Sequence, residues 1–498
     1  MRRFTMAIQR SILRKAALVF GLLGITAASM FPVDSQALPL FARQTGQNCV
    51  ACHAGGQFPE LTPYGRSFKM TGYTIGDRVS VPLSVMGLAT YTKVRDTSKS
   101  DNPAGDFSKN GTALASGGSL FLGGKITNNI GAFVQWTYDN FATGADGSYV
   151  GHASMDNVDI RYADRFVDAN RDLIIGVSLN NNPSISDPWN TAAAWMQYVP
   201  VPSPTSSQFI DGAAPYPGFG SGGNLAGVSL YMYLNKLVYA ELGTYQTGNG
   251  IFSPMSAGMA NVDRTKLQGV NNPYWRLALT HEWGAHNIMV GTSGMVAHLY
   301  DDNTNTSDPN SVHRILNTGL DAQYQYILDP HTVTAQVAYM RQRTNYSANT
   351  VAANVGAGSP SGFFAADGST LLADPNDSDT TNTFRGKLTY VYQAKYGGSL
   401  AYFNLTGTTN TALQTSGYDA TSTIVVDPAV SRVNANLSGN PATRGLTYEA
   451  FWMPVQYARV GVQYTAYSKF NGATDNYDGL GRNASDNNSL FFYVWGAY

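Results

Sequence analysis

The most constraining feature of this 498-residue sequence is a regular alternation of apolar and polar side chains from about residue 79 to the end. In residues 459–466, RVGVQYTA, valine, tyrosine and alanine alternate with arginine, glycine, glutamine and threonine. A period of two is that of a β-strand with two different faces. The pattern therefore predicts an all-β structure for most of the chain.

Sixteen segments show this alternation, and the connections between them alternate in length. The segments lie near residues 80–95, 112–126, 128–140, 153–165, 170–180, 222–234, 236–247, 272–283, 285–300, 313–327, 330–345, 382–394, 396–409, 442–453, 456–470 and 487–498. Seven connections are short, and eight are long and rich in Asn, Asp, Ser, Thr and Gly, such as 181–221 and 346–381. Short turns at one end and long loops at the other are typical of an up-and-down outer-membrane barrel.

A soluble all-β stack has the same periodicity with its apolar faces turned inward, and alternation alone does not distinguish the two. The membrane barrel is favoured by the connection lengths, by an export signal, and by the aromatic final segment SLFFYVWGAY, which resembles the assembly signal of Gram-negative outer-membrane proteins. We expect residues 79–498 to form a sixteen-stranded antiparallel barrel in outer-membrane lipid. An even strand number places both barrel ends and the short turns in the periplasm and the long loops outside the cell.

Residues 1–37 have the features of a secretory signal peptide. Five basic residues precede position 16, an apolar run covers 16–31, and Ser35-Gln36-Ala37 supplies small residues before a predicted cleavage after Ala37. The apolar run has 16 residues, fewer than the roughly 20 that a membrane-spanning helix needs. We therefore expect export and removal of this segment.

Charge is sparse, which limits the classes of partner. Charged residues make up 13% of the chain, against roughly 25% in ordinary soluble domains. The formal net charge of -1 becomes more negative once the basic signal peptide is removed. Such mild acidity gives no reason to expect a nucleic-acid partner.

Both cysteines of the chain lie in the short motif Cys49-Val-Ala-Cys52-His53. On a helical turn the two thiols and the imidazole point to one side, and Cys-x-x-Cys-His is the attachment motif of a c-type haem, with the histidine as an axial iron ligand. A redox dithiol usually has a βαβ setting, a zinc site needs further ligands, and a structural disulfide needs no histidine. We predict one covalently attached haem c.

The motif belongs to residues 38–78, which precede the first strand. A segment of this size rarely forms a core unaided, whereas a sixteen-stranded barrel leaves an aqueous lumen. We therefore expect residues 38–78 to be a short helical plug that carries the haem inside the barrel.

Further haem contacts are open to two interpretations each. Met70 is a candidate second axial ligand, because a His/Met pair is a known haem ligation, or it is an ordinary buried methionine. Arg43, Arg66 and Lys69 are candidates to pair with haem propionates, or they are surface cations. Their charge and their nearness to His53 in the sequence are the only grounds.

Two stretches resemble a known family. The run ALPLFARQTGQNCVACH at 37–53 and the run LTPYGRSFKMTGY at 61–73 resemble the amino-terminal signature of the outer-membrane monohaem cytochrome-porin fusions associated with bacterial iron(II) oxidation. The matching residues are Pro39, 41–46, 49–53 and 68–73. The resemblance implies a porin-like barrel, electron transfer from extracellular iron(II) or another redox donor, and a periplasmic carrier such as a soluble cytochrome c.

Three functions follow as expectations. The first is electron transfer from iron(II), with its status as an enzymatic oxidase left open. The second is the same conduit with another donor or with outward electron flow, and the third is a diffusion porin with a haem-bearing plug. We assign no catalytic residue. Loop carboxylates could dock iron(II), although acidic loops are also usual in outer-membrane barrels; they are Asp301, Asp302, Asp308, Asp374, Asp377 and Asp379.

Overall fold

The computed structural model describes residues 39–56, 60–96, 110–111, 113–143, 149–189, 225–256, 266–301, 305–355, 376–410, 436–479 and 481–498. The predicted signal peptide, residues 1–37, lies outside the described residues. The chain divides into two compact units, Met1–Ser35 and Gln36–Tyr498, and everything below concerns the second unit.

The described part of the chain contains sixteen strands, as the alternation predicts. They are β1 Leu83–Val94, β2 Ala113–Lys125, β3 Ile130–Thr143, β4 Tyr149–Val167, β5 Asp172–Asn180, β6 Leu225–Leu234, β7 Val238–Thr247, β8 Pro273–Trp283, β9 His286–Tyr300, β10 Val312–Leu328, β11 His331–Asn345, β12 Ser378–Tyr392, β13 Tyr396–Gly407, β14 Thr443–Val455, β15 Ala458–Lys469 and β16 Ser489–Ala497.

Each strand pairs antiparallel with its neighbours in sequence, and β1 pairs with β16 to close the barrel. The closing register places Met86 opposite Ala497 and Val94 opposite Ser489. All pairs are therefore between consecutive strands apart from this closure, which is the up-and-down topology of the prediction.

The seven short connections lie at one end of the barrel, here called the short-turn end, and the other end is the long-loop end. Tight turns require left-handed backbone: Asn235 and Lys236 have φ of 51° and 52°, and Gly284 has φ of 56°. Two-residue turns of this hand match the twist of the strands that they join. Both β1 and β16 meet the chain termini at the short-turn end.

The apolar faces of the strands point outward and the polar faces point inward. In β10, Leu320 is 63% exposed, whereas Gln323 on the opposite face is 1% exposed. Exposed tyrosines and tryptophans, among them Trp283, Tyr392 and Trp452, form an outer girdle near the short turns. An apolar outer band with aromatic girdles and a closed sheet is the architecture of a bacterial outer-membrane barrel, and it excludes the soluble stack.

Within the described residues, no helix is long and apolar enough to cross a membrane.

Residues 39–56 and 60–78 form short helices inside the barrel. Their side chains bond to inward-facing residues of β4, β10 and β12, and β4 and β12 lie on opposite walls of a sixteen-stranded barrel. This segment, here called the plug, contains α1 Pro39–Thr45, α2 Cys49–Cys52, a 3₁₀ turn Ala54–Gly56 and α3 Pro63–Met70. The remaining helical elements are α4 Pro183–Ser186, α5 Ala348–Val355 and 3₁₀ turns at Gly250–Met255 and Ala484–Asn487.

A second segment enters the lumen from the long-loop end. Residues 181–189, here called the inner loop, follow β5 and include α4, whose start is fixed by the Asn182 side chain and by Pro183 in the first turn. Asp187 and Trp189 of this loop are each 1% exposed. From the sequence, residues 181–221 are expected to form a long loop outside the barrel. The burial of 181–189 inside the lumen corrects this expectation.

Candidate functional site

The Cys-x-x-Cys-His motif forms one helical turn at the short-turn end of the lumen. The His53 backbone N–H donates to the Cys49 carbonyl at 2.8 Å and closes the turn. The Cys49 N–H donates to Oε1 of Gln456 at 3.1 Å, and its Sγ lies 3.7 Å from the Gln456 carbonyl. Gln456 lies in the short turn between β14 and β15, so the barrel itself positions the motif.

The chemistry of this donor set fits a covalently attached haem. Both cysteines are thiols in the structure, and burial raises the pKa of Cys52 to about 11. Burial lowers the pKa of His53 to about 4, which a smaller effect of Glu60 opposes, so its imidazole is neutral at physiological pH. A neutral imidazole can donate a lone pair to a metal, and two thiols three positions apart are the groups that c-type attachment consumes.

Helix α3 is packed directly onto the motif. The Thr62 hydroxyl accepts from the Gly65 N–H at 3.1 Å, and Pro63 occupies the first helical position, a strong start signal. The Thr62 N–H donates to the Cys52 carbonyl at 2.9 Å. A Cβ built on Gly65 would lie 2.1 Å from the same carbonyl oxygen, so only glycine allows this approach of the two helices.

The residues that carry the family resemblance hold the plug together. The ring of Phe41 stacks on Tyr73 at 5.6 Å and meets the edge of Phe68 at 5.1 Å. The Gln44 amide donates to the Tyr73 and Ile75 carbonyls at 2.7 and 2.9 Å. These contacts join α1 to the end of α3, so the two stretches that carry the resemblance have a structural role in the plug that is independent of haem.

Arg66 anchors the plug to the wall formed by β9 and β10. Its guanidinium donates to Asn287 at 2.9 Å, to Gln325 at 3.1 Å and to Gln323 at 3.3 Å, and also to the plug's own Leu61 carbonyl at 2.7 Å. The side chain is 4% exposed, and burial lowers its pKa to about 10. Arg66, a candidate propionate partner from the sequence, therefore already donates to four oxygen atoms of the protein.

Lys69 and Tyr73 bind the plug to the inner loop and to β4. The Lys69 ammonium donates to the Asp187 carbonyl at 3.0 Å. The Tyr73 hydroxyl donates to Asp159 at 2.6 Å, and Asp159 is also paired with Arg161 at 2.8 Å. Lys69 and Arg66 were both candidates to pair with haem propionates, and in the structure both donate to protein oxygens.

Met70 and Arg43 lie at different edges of the plug. Met70 is 1% exposed and packs in an apolar cluster with Trp189, Tyr231 and Tyr239, and its carbonyl accepts from the Tyr231 hydroxyl at 2.7 Å. Arg43 is half-buried and donates to the Val81 and Leu83 carbonyls at the start of β1. The roles of Met70 as an iron ligand and of Arg43 as a propionate partner stay predictions.

Glu60 is a site residue that the sequence analysis missed. Its carboxylate is 2.7 Å from the Lys387 ammonium on β12, and both side chains are largely buried. Val391, on the same inward face of β12, contacts the 3₁₀ turn at Gly55. The partners are 327 positions apart, so the sequence gives no signal for the pair.

The lumen wall carries paired charges of both signs. Arg276 pairs with Asp187 and with Asp321, and Arg459 pairs with Glu449 at 2.8 Å. Arg161 pairs with Asp159 within β4. Arg276 thus reaches the inner loop through Asp187, and Lys387 reaches the plug through Glu60. The wall therefore serves to seat the plug.

Three of the loop carboxylates that were considered for iron(II) accept hydrogen bonds from residues of the connection between β11 and β12. Asp301 accepts from Ser347 and from Thr350, and Asp379 accepts from the Tyr346 hydroxyl at 2.6 Å. Asp308 accepts from Asn349 at 2.7 Å. Asp302 and Asp374 lie outside the described residues. Among the described residues, no group of three or more His, Cys, Asp or Glu side chains is placed to hold a metal ion.

Comparison with known proteins concerns the barrel alone. No protein-family model matches the sequence, and no curated protein matches it significantly. Solved structures that are similar include OmpF of Salmonella typhi in complex with daunomycin, at 12% identity, a TM-score of 0.44 and coverage of 84% of this chain and 97% of that one.

OmpT of Vibrio cholerae is similar at 9% identity and a TM-score of 0.41, with the same coverages. An anion-selective porin of Comamonas acidovorans has 8% identity, a TM-score of 0.36 and coverages of 84% and 99%.

Proposed function

We propose that this chain is an outer-membrane electron-transfer cytochrome that takes electrons from an extracellular donor, iron(II), and passes them to a periplasmic carrier such as a soluble cytochrome c. A haem attached at the motif would supply a one-electron iron(III)/iron(II) couple. One observation carries the proposal: a Cys-x-x-Cys-His turn lies inside a membrane barrel, on a plug that is bonded to opposite walls.

The plug residues have distinct roles in this proposal. Cys49 and Cys52 form the covalent links, and His53 is the first axial ligand. The thiol state of the cysteines and the neutral imidazole support these three assignments. The assignments of Met70 as second axial ligand and of Arg43 as a propionate partner rest on the sequence alone.

The direction across the membrane follows from the position of the chain ends. Both ends of the barrel lie with the short turns, and in bacterial barrels this side faces the periplasm. The motif would then face the carrier, and the long loops would face the donor.

The inner loop supports a conduit between these sides. It follows β5 at the long-loop end, and its Asp187 carbonyl accepts from Lys69 of the plug at 3.0 Å. Trp189 of the same loop packs against Met70. The inner loop and the plug thus form a continuous series of protein contacts that starts on the donor side. The hydrocarbon layer that an electron has to cross is roughly 30 Å thick.

Stopped-flow spectroscopy of the haem-loaded protein tests the proposal. Iron(II) at several pH values should reduce the haem, and ascorbate serves as the control that shows the haem to be reducible. Reduction by ascorbate without reduction by iron(II) would refute the iron(II) donor. The same conduit with another donor or with outward flow would then remain, and a strongly negative midpoint potential would support it.

A diffusion porin is the second candidate function. The observation in its favour is a sixteen-stranded barrel with a polar inner face. Ion conductance of the intact, haem-loaded protein in planar bilayers separates the two functions. The plug contacts predict a closed pore for the cytochrome, whereas steady porin-like conductance would favour the diffusion porin.

A further inference from the structure

The backbone brings Glu60 next to the histidine of the motif. The Ala54 N–H donates to the Glu60 carbonyl at 2.8 Å, and His53 pairs with Leu61 in an isolated antiparallel bridge. Residues 53–54 and 60–61 therefore run side by side. This pairing places the backbone of Glu60 beside that of His53 and Ala54.

Lys387 holds the carboxylate from the barrel wall. The Lys387 ammonium lies 2.7 Å from Glu60, and the two side chains are 12% and 8% exposed. Four positions along β12, Val391 packs against Gly55 of the 3₁₀ turn. One strand thus contacts the plug at two positions that follow His53, Gly55 and Glu60, which keeps the ion pair and the motif in register.

A buried ion pair such as Glu60–Lys387 is expected to contribute little net stability to the fold. Desolvation of two buried charges can equal or exceed their attraction, and apolar replacements of similar volume are often as stable. A buried charge beside a redox centre has another effect, because its field is little screened by water. A carboxylate stabilises the more positive, ferric state of an adjacent haem relative to the ferrous state.

The two members of the pair do not act equally on the motif. Glu60 belongs to the strand pairing of His53 itself, whereas Lys387 reaches it from the wall. Glu60 is therefore the member of the pair whose backbone lies beside the motif.

We propose that Glu60, held in place by Lys387, sets the reduction potential of the haem bound at Cys49, Cys52 and His53 by lowering it. The inference rests on the haem attachment of the proposed function and is independent of the identity of the donor. Glu60 acts through the imidazole and is a positioning and tuning residue.

Spectroelectrochemical titration of the purified haem-loaded protein at pH 8 is the test. The midpoint potential should rise in E60Q, which removes the negative charge with little change of shape. It should fall in K387Q, which leaves the carboxylate without its counter-charge, and lie between these values in the double variant. E60D retains the charge and should stay close to the wild type.

A matched ion pair far from the motif controls for general charge effects. Asp168 and Arg171 form an exposed pair in the short turn between β4 and β5, with a distance of 3.2 Å. The D168N/R171Q variant should leave the potential unchanged.

The failure of the proposed function and the failure of this inference give different results in this experiment. Wild-type protein without covalent haem, measured as its pyridine haemochrome, would refute both. Haem-loaded E60Q with an unchanged or lowered potential would refute the role of Glu60 alone. An equal shift in E60D and E60Q would show a packing effect and would also overturn it.

Discussion

The seating of the plug depends on one buried arginine, and replacement of Arg66 by methionine tests this dependence. The guanidinium donates to three amide oxygens of the wall, those of Asn287, Gln323 and Gln325. Methionine has a similar length and is apolar, so it fills the space and removes the charge. The perturbation is therefore confined to the polar contacts.

The expected cost follows from two opposing effects. Each amide oxygen that loses its donor inside the protein costs about 1 to 3 kcal/mol. Methionine avoids the desolvation of the guanidinium, which offsets several kcal/mol of that cost. We expect plug docking to become less favourable by about 3 kcal/mol. At about 1.4 kcal/mol per factor of ten, the undocked population is then about 100-fold larger.

Hydrogen exchange of the α3 amides, measured by mass spectrometry in detergent micelles, reports the undocked population. Exchange in α3 should rise about 100-fold in R66M, while the strands remain protected. Arg43 provides the control, because this half-buried cation of α1 donates to two backbone carbonyls, those of Val81 and Leu83, among the described residues. R43M should cost about 1 kcal/mol. Equal exchange in R66M and R43M would refute the anchoring role of Arg66.

Three further substitutions probe the same plug. Burial lowers the pKa of Lys69 from 10.5 to about 8, so between pH 8 and 10 the undocked state binds more protons and docking strengthens with rising pH. α3 exchange, corrected for its intrinsic pH dependence, should slow over this range in the wild type and not in K69M. Y73F removes the 2.6 Å bond to Asp159 and should weaken plug docking by about 1 to 3 kcal/mol, which raises α3 exchange about 5-fold to 100-fold; unchanged exchange would contradict this. G65A forces a Cβ against the Cys52 carbonyl, so the haem-loaded fraction of purified protein should fall, and full loading would show that the helices can separate freely.

The barrel could be predicted from the sequence because its rule is local. Alternation with period two locates each strand without knowledge of its partner, and all sixteen predicted segments overlap the observed strands. The ends were less certain: β4 runs from Tyr149 to Val167, beyond the predicted 153–165, because pairing with β3 and β5 extends it. Alternation alone did not give the direction of the faces; the connection lengths, the export signal and the aromatic final segment predicted outward apolar faces, and the structure confirms them.

Only the local motif of the candidate site could be located from the sequence, and haem attachment there stays a prediction. Cys49, Cys52 and His53 form a local motif, so their spacing alone indicates haem attachment. Glu60 and Arg66 meet their partners hundreds of positions away, and no local pattern indicates such contacts. The inner loop offered a weak signal, since Asn182 and Pro183 are a helix start and Trp189 is a large aromatic residue in a polar loop.

Charge balance explains why the plug has one orientation in the lumen. Among the described residues around α3, the wall and inner loop contribute four buried carboxylates and two buried arginines; these are Asp159, Asp187, Glu241, Asp321, Arg161 and Arg276. Arg66 and Lys69 of the plug supply the two missing positive charges. On the opposite wall the relation is reversed, because Lys387 receives the carboxylate of Glu60. A plug turned end for end would bring cations to Lys387 and leave the acidic wall uncompensated, and buried charges without partners cost several kcal/mol each. The same charges that fix the plug therefore fix the motif at the short-turn end.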